Sequence, residues 1–202
     1  MRAFFLENDA RMAVVSHFRP QTTKSIRISN FLDVFEHWQI RYNKSKPSNK
    51  TFLAGIIGYG CNIGTKKIAQ ISKMLNEHEL ENTINWYFSK DNIISANDRI
   101  LQAMDALDLP NIYRRDKDSL HTSSDGQKID MAVDSLNAGY SLKYHGMNKG
   151  ANAYRFIDER NFLFHSIVFS SSEREAAYVI DGLMHNDVIK SDIHSTDTDG
   201  YS

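Results

Sequence analysis

Residues 153–169 read AYRFIDERNFLFHSIVF, two apolar-rich runs, Ala153 to Ile157 and Phe162 to Phe169, on either side of the charged tetrad Asp158-Glu159-Arg160-Asn161. Aromatic and β-branched residues bounded by a polar turn predict a β-hairpin. Upstream, Ser119 to Met131 reads as a further strand, and Tyr140, Leu142 and Tyr144 alternate with Ser141, Lys143 and His145 in the period of two expected of a half-buried strand. Downstream, Ser172-Glu173-Arg174-Glu175 has the S-x-x-E form of a capping box ahead of Ala176, Ala177, Val179, Ile180 and Leu183. A short run, Val188 to His194, follows that predicted helix. Antiparallel strands, a helical crossover and one more strand imply that the last strand lies parallel to an earlier one.

The N-terminal half has a different period. Phe31, Phe35, Trp38 and Tyr42 recur at spacings of four, three and four, which predicts a helix over 29–42. The glycine-rich run Phe52 to Gly64 precedes Thr65, placed to cap a helix carrying Ile68, Ile71 and Leu75. Asn76 with Glu79, and Ser95 with Asp98, look like two further capping pairs, and Pro110 is expected to stop the last helix. The fold class is therefore α+β, divided into a mostly helical region over 1–110 and a sheet-forming region over 111–202.

Composition excludes several classes. At 202 residues with 41% hydrophobic and 24% charged, the chain is neither disordered nor fibrous and is long enough for a sizeable core. No apolar run reaches the ~18 residues that a membrane helix needs, and Glu7 and Asp9 interrupt Ala3-Phe4-Phe5-Leu6 before a signal-peptide core can form, so a cytoplasmic setting is expected. The single Cys61 rules out an internal disulfide and a cysteine-cluster zinc site, and reads as a small buried hydrophobe. Net charge is −1, yet nine Lys/Arg lie between Arg19 and Lys67 against Asp33 and Glu36, so the remainder carries −8. A positive segment beside an acidic one suits phosphate binding beside a carboxylate site, with Lys44, Lys46, Lys50, Lys66 and Lys67 as candidate DNA contacts. A solvated lysine-rich surface would look the same.

Familiar catalytic motifs are missing. Tyr59 stands where a P-loop needs glycine, Thr65 where it needs lysine, and Ile63 where the dinucleotide fingerprint needs glycine. The glycines are read as tight turning between helices. No G-x-S-x-G or H-E-x-x-H occurs. Two acids stand apart: Asp125, in His121-Thr122-Ser123-Ser124-Asp125-Gly126-Gln127, and Asp197, at the end of the last strand. If the two strands are neighbours, like charges at one sheet end repel unless a divalent cation is shared, so the pair suggests a Mg²⁺ or Mn²⁺ site. An Asx turn at Asp125 and a loop acid at Asp197 are the plainer readings.

The stretches LHTSSDGQK (120–128), SLNAGYSLKYHG (135–146), YRFIDERNFLFHS (154–166), SSSEREAAYVIDGLMHN (170–186) and KSDIHSTDTDGYS (190–202) resemble the catalytic region of the Tn-three family of replicative transposases. LAGIIGYGCNIGTKKIAQIS (53–72) resembles the helical segment before it. The resemblance implies the first part of an RNase H-like core with a D-D-E triad and two Mg²⁺ (or Mn²⁺) ions, nicking transposon ends and joining them to target DNA. Asp125 matches the first aspartate and Asp197 the second, both as catalytic metal ligands. DNA is the implied partner, no membrane is involved, and the longer parent leaves room for a homo-oligomer.

Departures bear on activity. The triad glutamate lies on a later helix in the family, and this chain ends at Ser202, so the metal site is expected to be incomplete and whether the chain is itself an enzyme stays open. Asp199 replaces the histidine of T-D-T-H-G, and Asn161 stands where histidine is common after D-E-R. Glu173 and Glu175 occupy the helix on which RNase H enzymes carry a metal-binding glutamate. Besides a transposase fragment, the alternatives are a non-catalytic DNA-binding or interaction remnant and an unstable remnant with an uncovered sheet face.

Overall fold

The computed structural model describes residues 29–39, 45–72, 75–132, 135, 137–184, 186 and 188–197. They form two compact units, divided between Ala103 and Met104.

The first unit is helical. A 3-10 turn, Phe31–Val34, leads to α1 (Asn49–Gly60), α2 (Thr65–Ile71), α3 (Glu77–Tyr87) and α4 (Lys90–Asp105). Ser48 caps α1 by accepting the Thr51 amide, and Asn76 caps α3 by accepting the His78 amide at 2.9 Å. Glu79 does not complete a reciprocal box; its carboxylate accepts the Thr51 hydroxyl at 3.2 Å. One core cluster gathers Phe31, Leu32, Phe35, Phe52 and Tyr87, and another Ala54, Ile68, Leu80 and Ile84.

Several local expectations fail here. The helix over 29–42 is only the 3-10 turn, because Phe35 is extended (φ −72°, ψ 106°); Trp38 is 60% exposed, and Tyr42 lies outside the described residues. Thr65 is the first residue of α2 rather than its cap, which is Gly64 at φ 81°, and α2 ends before Leu75. Ser95 lies inside α4, whose first turn is held by Ser89 accepting the Asn92 amide, and α4 ends at Asp105, ahead of Pro110. Cys61 is exposed in the α1–α2 turn; Gly55 and Gly58 are buried inside α1, against Phe88 and Ile68, so close helix packing rather than turning uses them.

The second unit is a five-stranded sheet: β1 (His121–Asp130), β2 (Gly139–Tyr140), β3 (Lys149–Asp158), β4 (Leu163–Ser170) and β5 (Ile193–Ser195). The expected hairpin is β3–β4, turned at Asn161 with φ 63°, a left-handed conformation that asparagine tolerates. β3 also pairs antiparallel with β1, and β5 lies beside β1 in parallel. The strand expected through Tyr144 is reduced to β2, followed by the single helical turn α5 (Leu142–His145). The crossover helix α6 begins at Glu175 and ends at Met184, so Ser172 is too far upstream to cap it; its hydroxyl instead meets that of Ser170 at 2.7 Å.

α6 covers the sheet face that carries Tyr154, Phe156 and Phe169, with Tyr178 stacked on Phe169 at 3.8 Å. Burial alternates along β3, with Asn152, Tyr154, Phe156 and Asp158 inside and Arg155 and Ile157 outside. On the outer face Ile129, Ile157 and Val168 are exposed. The β3–β4 turn is pinned by Arg160, buried and hydrogen-bonded to Asp158 (2.8 Å) and Asp105 (2.6 Å). Asp158 also accepts the amides of Arg160 and Phe162, so the acid that opens the tetrad organises its own turn.

Candidate active site

Period-two alternation puts Thr122 and Ser124 of β1 on the buried face and Ser123, Asp125 and Gln127 on the outer one. Asp125 is exposed and stands opposite Arg155 of β3. Its carboxylate accepts the Gly126 amide at 2.8 Å. Arg155 in turn donates to the side chain of Gln127. Asp125, Arg155, Ser195 and Thr196 are among the residues lining an open cleft of about 660 Å³.

β5 forms the other wall. It pairs His121 with Ile193, Thr122 with His194 and Ser123 with Ser195. Each pair is separated by 72 residues, which is also the separation of Asp125 and Asp197, and the ladder itself ends at Ser123 and Ser195. In-register residues of parallel strands point to the same face. Asp197 is exposed and follows directly on β5. Among the described residues, no group of three or more His, Cys, Asp or Glu side chains is arranged to hold a metal ion.

Support for this corner comes from beneath. His194 bonds through Nδ1 to the Thr122 hydroxyl and through Nε2 to the Ser124 hydroxyl, both at 2.8 Å, and stacks on Phe156. Burial, and secondarily the nearby His121, push its pKa below the ordinary histidine value. The Tyr154 hydroxyl meets that of Thr196 at 2.8 Å, tying down the residue before Asp197. Sequence reasoning did not identify these residues. Their signal was the pair Thr122 and Ser124: small hydroxyls at inward positions of a strand need buried partners.

Other expected residues are dispersed. Glu175 is buried on the α6 side of the sheet, the face opposite Asp125, and is held by Asn152 at 3.0 Å and Lys128 at 3.5 Å. Glu173 accepts the Tyr178 hydroxyl. Lys46, itself exposed, donates to the Leu32 and Asp33 carbonyls at 3.0 Å each, where it neutralises the end of the 3-10 turn. Lys50 and Lys66 are exposed in the first turns of α1 and α2, and Lys67 is half-buried. Lys44 and Asp199 lie outside the described residues.

Comparison with known proteins places these features in a family. Over 176 residues the chain is 30% identical to the transposase for transposon Tn1546 of Enterococcus faecium, covering 87% of this chain and 17% of that protein. It is 24% identical to the transposase for transposon gamma-delta of Escherichia coli (strain K12), covering 86% of this chain and 17% of the relative. It is also 26% identical to the transposase for transposon Tn2501 of Escherichia coli, covering 87% and 18%. The chain thus spans about one-sixth of the length of these curated relatives. No solved structure is significantly similar. The family profile described as the Tn3 transposase DDE domain matches residues 24–202. The chain belongs to the Tn3 transposase DDE domain family.

Proposed function

We propose that this chain is part of a DNA transposase in which Asp125 and Asp197 together hold Mg²⁺ or Mn²⁺ for strand cleavage and transfer. The observation that carries the reading is the parallel β1–β5 register, whose 72-residue offset equals the separation of the two acids. Two exposed carboxylates, one of them lining an open cleft, are hard oxygen donors of the kind these cations take. Divalent ions at such a pair polarise a phosphodiester and activate the attacking oxygen. The chain's own contribution would be positional: the β1–β5 pairing sets the strands that lead to the two acids side by side, and the Tyr154–Thr196 hydrogen bond anchors the residue before Asp197.

The same reading takes residues 111–202 as the first part of an RNase H-like core and 1–110 as the helical region before it. Three antiparallel strands, a crossover helix and a strand parallel to the first support that identification. DNA is then the partner, in a cytoplasmic setting. Among the described residues no helix is long and apolar enough to cross a membrane.

The test is calorimetric titration of the chain with Mn²⁺. Wild type should give binding heat that Asp125→Ala with Asp197→Ala removes. Equal heats from the two proteins would overturn the assignment.

A further inference from the structure

Beyond the cleft, the segment Gly139–Lys149 presents an unusual surface. Tyr140, Leu142 and Met147 are 62%, 85% and 90% exposed, three large side chains offered to solvent within eight residues. From Asn137 to Gly150 the chain contains Lys143 and Lys149 and no Asp or Glu. The Lys149 ammonium lies 5.2 Å from the Tyr140 ring, and the Lys143 ammonium 4.6 Å from the Tyr144 ring.

This surface stands on a rigid base. His145 of α5 is buried, with Nδ1 on Asp130 and Nε2 at 3.0 Å from the Ser171 hydroxyl. Its ring lies so close to β3 that a Cβ on Gly150 would come within 2.1 Å of Nε2. The Tyr144 ring is packed from beneath by the Lys128 ammonium at 3.6 Å, itself paired with Glu175. The turn is thus bolted to β1, β3 and the start of α6, while Leu142, Lys143 and Met147 are exposed and Lys149 is half-buried.

We propose that Tyr140–Lys149 is a DNA-contacting finger, with Lys143 and Lys149 against phosphates and Leu142 and Met147 pressed against the bases of one step. The inference rests on the transposase reading above and names part of its DNA-binding surface. Nucleic acid carries apolar faces between closely spaced anionic groups, and architectural DNA-binding proteins use leucine and methionine as wedges between base steps. Asp130, beneath the finger, is five residues along β1 from Asp125, or about 17 Å at the strand rise. That odd step along the strand puts the two acids on opposite faces, so the finger is a DNA contact separate from the cleft. A lipid surface fits less well, because a four-residue turn lacks the continuous apolar face of an interfacial helix.

The experiment measures anisotropy of a labelled duplex containing a fluorescent adenine analogue, with the 202-residue chain in EDTA over a range of salt. Lys143→Gln with Lys149→Gln should weaken binding and lower the salt slope by about two. Leu142→Ser with Met147→Ser should keep the slope but lose the brightening that reports an unstacked base. Leu142, Lys143 and Met147 are exposed and Lys149 is half-buried, and unchanged melting curves exclude misfolding. The finger is overturned if both variants bind and brighten as wild type does, if the chain binds no duplex, or if the variants lose binding to phosphatidylserine vesicles while duplex binding is unchanged. Because metal is excluded, failure here leaves the Mn²⁺ titration of Asp125 and Asp197 untouched.

Discussion

Asp125 stands directly across the antiparallel ladder from Arg155, so the acid proposed to hold a cation has a guanidinium as its strand neighbour. A fixed positive charge about 6 Å from a divalent ion in a mostly aqueous setting costs about 1 kcal/mol after screening. Arg155→Met should therefore tighten Mn²⁺ binding roughly fivefold by calorimetry. An affinity that stays the same or falls would separate Arg155 from the metal's field.

Arg160 has the most demanding charge environment in the second unit. Burial works against its charge, yet hydrogen bonds to Asp105 and Asp158 raise its pKa above the ordinary arginine value. Removing one partner of a buried pair strands the other, at about 3–5 kcal/mol. Arg160→Met should lower stability to urea by about 3 kcal/mol. Adding Asp158→Asn should recover only part of this, because Asp158 also accepts two backbone amides. Full recovery would mean that the turn does not depend on that acid.

Gly182 tests packing against propensity. In an exposed helix Gly→Ala stabilises by about 1 kcal/mol. In α6 the new methyl would lie 2.3 Å from the fully buried Phe156 ring. Overpacking of that kind costs about 1–3 kcal/mol, so the sign reverses and Gly182→Ala should lower the melting temperature. A rise would show that α6 can move off the sheet without loss.

His194 gives the β1–β5 corner a pH dependence. Its pKa is depressed in the folded chain, so between that value and the ordinary ~6.5 the unfolded chain binds more protons. The associated stability is present above about pH 6.5 and is lost as pH falls toward the depressed value. Melting temperatures measured across this window should decline with acidification, and His194→Gln should flatten the decline. Identical slopes for the two proteins would remove His194 as the cause.

The hairpin was legible because aromatic and aliphatic residues at alternating inward positions leave one strand phase, and Asn161 suits its turn. The same alternation misled at Tyr140, Leu142 and Tyr144, where no buried face enforces it and the chain turns helical. Likewise, the aromatic spacing from Phe31 to Trp38 reflects extended chain laid on α3: the Trp38 amide donates to the Trp86 carbonyl at 3.1 Å, and the rings stack at 5.6 Å. Apolar periodicity by itself fixes neither that a face is buried nor whether a helix or a strand carries it. Within the site, Asp125 and Asp197 stood out by chain position. That their strands are neighbours was only a condition in the sequence; it is met by a three-residue ladder with His194 beneath it.

That ladder is brief, and brevity has a kinetic meaning. A strand paired to its neighbour through the short ladder Ile193–Ser195, with hydrogen bonds from His194 and Thr196 as further ties, should open locally before the β3–β4 hairpin melts, and its amides should be among the first in the sheet to exchange with solvent deuterium. The spacing of the two carboxylates would then fluctuate, and a captured ion would act as a clasp that quiets this short seam.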